Sequence, residues 1–204
     1  MKKVIVWILL VGLFQICYSA DSSKKIEYKH QLLGFSVQYP DSWNIVSVDD
    51  YYSSLNNTKL SNKEWDGMLT KHASIPFFAV AKYKEPYEDL NPSFKVNTRP
   101  YGELKGQKLD ALMKAMVKQF ETMFDDFEII DDVKEVKIGN TKAIHTKFNY
   151  TLVSEAGEDY PASSELWLID KGEYFYVIGV GMHQTEKKEI LAEIKEMISS
   201  IIIK

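Results

Sequence analysis

The chain has 204 residues, with 25 basic and 29 acidic side chains, a net charge of −4 and one cysteine. That length can bury a core within one domain without disulfides. The acidic balance, with Arg99 as the only arginine, argues against a nucleic-acid or anionic-lipid surface and against any multi-arginine clamp for phosphates or carboxylates.

Lys2 and Lys3 precede an apolar run from Val4 to Phe14, and Ser19 and Ala20 are small residues of the kind a signal peptidase reads. The run is shorter than the roughly 20 residues that span a bilayer, which separates it from an anchor. Residues 1–20 are therefore expected to be a signal peptide, 21–25 a linker and 26–204 a single domain. Cys17 raises lipidation as an alternative, but Phe14, Gln15 and Ile16 before it fit that processing poorly. Two of the 25 basic residues and the cysteine lie in the leader, so cleavage would leave 23 basic against 29 acidic residues and a net charge of −6. A cysteine-free protein in the periplasm or outside the cell must rely on its core. On this reading membrane contact is confined to the leader before cleavage.

Beyond the linker, Leu33 to Tyr39 alternates as a strand, with Phe35, Val37 and Tyr39 on one face and Ser36 and Gln38 on the other. Pro40-Asp41-Ser42 is a turn, and Trp43, Ile45 and Val46 resume an apolar segment ending at Asp49 and Asp50. After a polar stretch from Ser53 to Lys59, Ser61 and Glu64 form a capping box for a helix with Trp65, Met68, Leu69 and His72 on one face. Phe77 to Tyr83 reads as a buried strand, and Phe94 to Thr98 as another that Pro100 stops.

From about Lys105 to Asp126, Leu109, Leu112, Met113, Met116, Val117, Phe120, Met123 and Phe124 recur at helical steps. Phe120→Ala in such a stripe is expected to cost about 3–5 kcal/mol. Three further strand regions follow: Val133 to Ile138, Thr141 to Val153, and Ser164 to Asp170 paired with Tyr174 to Met182. Gly139-Asn140 and Asp170-Lys171-Gly172-Glu173 suit antiparallel hairpins. Phe175, Val177, Gly179 and Gly181 share a face, and the glycines would let the terminal helix of Ile190, Leu191, Ile194, Met197, Ile198 and Ile201 approach closely. The element order predicts the α+β class, an antiparallel sheet covered by helices.

The run Gly34-Phe35-Ser36-Val37-Gln38-Tyr39-Pro40-Asp41-Ser42-Trp43 is similar to the opening of the PsbP-like and DcrB-like families. Lys82 to Tyr87, Asn91-Pro92-Ser93 and Ser164 to Leu168 resemble segments of exported bacterial proteins of that group. As architecture the resemblance covers residues 26–204, and as literal motif only these patches. It implies an αβα sandwich of the Mog/PsbP type, with no established enzymatic activity, no cofactor and no catalytic residue to transfer. It also implies a role as an extrinsic subunit, assembly factor or partner-binding module. Nothing in the chain ties it to photosynthesis.

The residues themselves offer little chemistry. His30, His72, His145 and His183 are scattered, without the close ligand pair that zinc sites show. Asp49-Asp50, Asp125-Asp126 and Asp131-Asp132 read as solvated ends of elements. No GxSxG elbow or glycine-rich phosphate loop occurs. Two readings remain: a non-catalytic exported module for a protein or envelope partner, and a hydrolase using a carboxylate pair in a cleft. For the first, the loop from Lys82 to Arg99 is the expected recognition edge. Its contacts would be Tyr83, Tyr87 and Tyr101, with Lys82, Lys84, Lys95 and Arg99 adding positive charge.

Overall fold

The computed structural model describes residues 24–57, 61 and 74–204. The expected leader and the expected helix of Trp65, Met68, Leu69 and His72 lie outside them. Strand β1 (Lys25–His30) pairs antiparallel with β2 (Phe35–Pro40), placing Tyr28 opposite Val37. Most of β1 is solvent-exposed, so it carries little hydrophobic period and is not announced in the sequence. On β2 the alternation is as expected: Phe35, Val37 and Tyr39 are buried, and Gln38 faces out.

The chain continues through β3 (Asn44–Ile45), helix α1 (Val48–Asn57), β4 (Phe78–Ala81) and β5 (Ser93–Pro100). Helix α1 stands where the sequence suggested a loop. Its start is a reciprocal cap, in which the Asp50 amide donates to Ser47 Oγ at 3.0 Å and the Ser47 hydroxyl donates to Asp50 Oδ2 at 2.6 Å. Helix α2 (Leu109–Met123) is followed by β6 (Asp125–Ile138), β7 (Thr141–Val153), β8 (Asp159–Asp170) and β9 (Tyr174–His183). Helix α3 (Lys188–Ser199) and the short β10 (Ile202–Ile203) close the chain.

Two expected borders are corrected. Helix α2 ends at Met123, because Phe124 is extended and Asp126 has a positive φ of 49°, neither compatible with continued helix. The acidic pairs at 125–126 and 131–132 consequently lie within β6, which begins well before Val133. This is an edge strand with several register shifts against β7. Bulges and charges of this kind discourage edge-to-edge pairing.

The large sheet runs β3-β4-β5-β9-β8-β7-β6 and the small one β1-β2-β10, every pair antiparallel. Because side chains alternate across a strand, β9 feeds two cores. Tyr176, Ile178, Val180 and Met182 pack with the small sheet and with Ile190, Ile194, Met197 and Ile201 at the C-terminal end. Phe175 packs on the other face with Tyr101, Leu112, Met113, Val117 and Leu168. Gly179 and Gly181 share the face of Phe175, so they lie on the α2 side and do not serve the approach of α3.

The helix stripe is core, but unevenly. Met113 is fully buried, whereas Phe120 is half-buried against Phe124 and Phe148, with ring centroids 5.7 and 5.4 Å away. The expected cost of Phe120→Ala therefore drops to about 2–3 kcal/mol, since part of the ring already meets solvent. Urea unfolding monitored by circular dichroism measures it, with Met113→Ala expected to lose more.

Candidate functional site at the proline loop and the adjoining groove

The loop between β4 and β5 is braced by its own side chains. Asn91 Oδ1 accepts from the Tyr83 amide at 3.0 Å, and Asn91 Nδ2 donates to Tyr83 O and to Glu85 Oε1, both at 2.9 Å. The second Glu85 oxygen accepts from the Tyr87 amide at 3.0 Å. The Glu85–Pro86 peptide is cis. Within this frame the Tyr83 and Tyr87 rings stack, centroids 4.5 Å apart and planes 15° from parallel. Tyr83 is half-buried against the core, and Tyr87 is 38% exposed, which makes Tyr87 the ring within a partner's reach.

The other expected contacts are elsewhere. Tyr101 is 7% exposed and packs on Phe175, and its hydroxyl donates to Asp170 Oδ1 at 2.9 Å. Burial first, and then Asp170, push its pKa up to about 12. It belongs to the core, a correction to its expected place on the recognition edge. Arg99 is exposed at the far end of β5, separated from the loop by most of a strand that advances about 3.3 Å per residue. Of the four residues singled out, the fold brings together Tyr83 and Tyr87, but not Arg99 or Tyr101.

The expected positive patch is dispersed as well. Lys82 turns toward α3, where its Nζ lies 2.6 Å from Glu193 Oε2 and 3.2 Å from Ser42 Oγ. The Trp43 indole donates to the same Glu193 oxygen at 2.8 Å. Nothing in the sequence announces this network, because its members are brought together only by folding.

Lys95 takes a different route, into a groove of about 910 Å³ on the α2 side of the sheet. Tyr87, Pro86 and Glu85 of the loop form one wall, and Asp50 and Tyr51 of α1 another. The floor is low because β9 contributes Gly179 and Gly181. A Cβ at position 179 would meet Leu166 Cδ2, and one at 181 would meet Ser93 Oγ, each at an ordinary 3.5 Å. The Lys95 ammonium lies 5.6 Å from the centroid of the Tyr51 ring. Burial draws its pKa down, partly opposed by the Glu85 carboxylate. At the far side the Tyr150 hydroxyl is 3.1 Å from Ser164 Oγ, with its pKa raised by burial.

Three carboxylates, Asp50, Glu85 and Asp89, line this groove. Each is committed to the backbone or a cap: Asp50 to Ser47, Glu85 to Tyr87 and Asn91, and Asp89 to the Leu90 amide at 2.6 Å. The histidine–carboxylate pair that a hydrolase could use lies on the opposite face of the sheet. His145 Nε2 is 3.4 Å from Glu165 Oε2, Lys147 Nζ is 3.0 Å from Glu165 Oε1, and the His145 ring packs on Trp167. The His145–Glu165 contact is poorly aligned, leaving Nε2 without a hydrogen-bond partner. Among the described residues no group of three His, Cys, Asp or Glu side chains is placed to hold a metal.

Burial alone would raise the Glu165 pKa, but His145 and Lys147 beside it outweigh that and hold it below the usual glutamate value. A carboxyl with a depressed folded-state pKa adds stability above its unfolded value and loses it as pH falls through the folded one. Wild type is therefore expected to lose its advantage over Glu165→Gln as pH drops from about 4.5 downward. Urea midpoints of both proteins between neutral and acid pH check this, and parallel curves would contradict it.

No family model matches the sequence, and no curated protein matches it. Solved structures do match in fold. CyanoP, the PsbP of Synechocystis sp. PCC 6803, aligns over 95% of this chain and 100% of its own, at a TM-score of 0.52 and 12% identity. LpqN of Mycobacterium tuberculosis, a protein involved in cell envelope biogenesis, aligns over 88% of this chain and 90% of its own, at 0.51 and 10%. At such identities the likeness establishes the fold, which is PsbP-like and α+β.

Proposed function

We propose that the chain is a non-catalytic binding module working outside the cytoplasm, with residues 26–204 as one domain, and that a protein or envelope partner docks on the proline loop. The observation that carries this reading is the stacked Tyr83–Tyr87 pair. Its outer ring is exposed while its backbone is held by Asn91 and Glu85. A rigid aromatic on a pre-ordered loop offers contact area with little entropy left to lose on binding. Pro86 and Pro92 restrict the same segment. Export is supported by the basic, apolar and small-residue order of the leader, and among the described residues no helix is long and apolar enough to cross a membrane. The envelope role of LpqN, which shares the fold, agrees with a partner in that compartment.

Tyr87→Ala tests the reading. Tagged wild-type and variant proteins are recovered from the envelope of the native host, and the co-purifying proteins are compared by mass spectrometry. The variant is expected to unfold at the wild-type temperature and to lose at least one stoichiometric partner. An unchanged partner set would make the loop a structural cover of the sheet edge.

A further inference from the structure

We propose that the groove floored by Lys95 binds a small organic monocarboxylate, its carboxylate on the Lys95 ammonium and its apolar body along the floor of β8 and β9. This site faces inward from the loop edge and does not depend on a protein docking there.

The volume, about 910 Å³, lies within the range of small-molecule sites. The space is written into the strand register. Lys95 stands directly opposite Gly179, which stands opposite Leu166, and Ser93 opposite Gly181, which stands opposite Ser164. Small residues in these rows leave the sheet uncovered where α2 packs over the neighbouring Phe175 and Leu168. Leu166 and Val177 give the floor an apolar part.

The charge inside this space is what selects the ligand. Lys95 is sheltered by the surrounding protein: the face of Tyr51 lies 5.6 Å from its ammonium and the Glu85 carboxylate acts on it through space, but among the described residues no carboxylate pairs with it directly. Lys82, on the neighbouring strand connection, has by contrast a carboxylate at 2.6 Å. A sheltered ammonium without a directly hydrogen-bonded acceptor is costly, and an incoming carboxylate supplies the charge-assisted bond that the more distant Glu85 does not.

The number of charges then separates anion classes. Among the described residues lining the groove Lys95 is the sole cation, while Asp50, Glu85 and Asp89 stand at the walls. A second negative charge on the ligand would meet these carboxylates without a second cation among the described lining residues to offset it. A lone ammonium also lacks the fork that guanidinium groups offer to phosphate. The groove thus fits one carboxylate with an apolar body better than a phosphate.

The test uses the full-length protein and ligand-observed NMR with isothermal titration. The probes are benzoate, 4-phenylbutyrate and octanoate, each beside its neutral amide, and inorganic phosphate. At least one acid is expected to bind about ten-fold or more tightly than its amide, and phosphate more weakly than that acid. Lys95→Met keeps the stem, removes the charge and breaks no ion pair among the described residues, so it should fold and bind acid and amide equally. Gly181→Leu keeps Lys95 but fills the floor, and should abolish binding of both. No binding of any acid to wild type, equal affinity for acid and amide, phosphate matching the acid, or a preference that survives Lys95→Met would each overturn the proposal. Loss of partners in Tyr87→Ala, or its absence, leaves this result unaffected.

Discussion

Replacing Tyr176 by alanine is expected to cost about 4 kcal/mol or more of folding stability. The side chain is wholly buried, with its ring 5.8 Å from Phe35 and 6.1 Å from Phe77. It stands on the central strand β9 and reaches the turn before β2, where its hydroxyl donates to Leu33 O. Burial first, and the neighbouring Tyr174 second, raise its pKa well above the usual phenol value, so the hydroxyl stays protonated and keeps donating. Tyr176→Phe separates the two contributions. It keeps the ring and strands one carbonyl, which is worth about 1–2 kcal/mol. Urea unfolding of the three proteins decides. If alanine and phenylalanine lose the same amount, the hydrogen bond rather than the packing joins the two sheets.

The second large effect is expected at the network beneath the loop. Lys82 and Glu193 expose only 16% and 23% of their side chains, and Glu193 also accepts a hydrogen bond from the Trp43 indole N–H. Glu193→Ala leaves a mostly buried ammonium and an indole N–H without their shared acceptor, at a cost of about 2–3 kcal/mol. Removing both charges as Lys82→Met with Glu193→Leu should recover most of that loss, because apolar groups of similar volume replace the pair without stranding either member. A double variant as unstable as Glu193→Ala would mean that geometry, not charge pairing, holds this corner.

How far the sequence reveals these features follows from the range of each interaction. Strands β7 and β9 are readable because alternation and the turns at Gly139 and Gly172 are local, and the glycines there do take positive φ. The stripe of α3 is readable for the same reason, and Ile190, Ile194 and Met197 are its buried face. Helix α1 has a readable signal in Ser47 and Asp50, but its polar surface hides the period. Strand β6 is hidden by being a charged, bulged edge.

The site is legible only in its local part. Tyr83, Tyr87 and the prolines stand close in the chain, so their loop could be singled out. The groove depends on Lys95, Gly179 and Leu166 meeting across three strands, which no spacing encodes. Tyr101 resembled the loop tyrosines in sequence because it too adjoins a proline, yet its ring is drawn into the core by Phe175 and Asp170.

The central claim, that the outer face of the Tyr83–Tyr87 pair meets a partner, is tested most directly by placing a photo-crosslinking amino acid at position 87 in the native host. The same probe at exposed Leu32, on the turn between β1 and β2, serves as the control. Irradiation is expected to give one discrete adduct of defined mass from position 87 and none from position 32, with the adduct lost when unlabelled wild-type protein is co-expressed in excess. The same pattern of adducts from both positions, or none from position 87, would contradict the account.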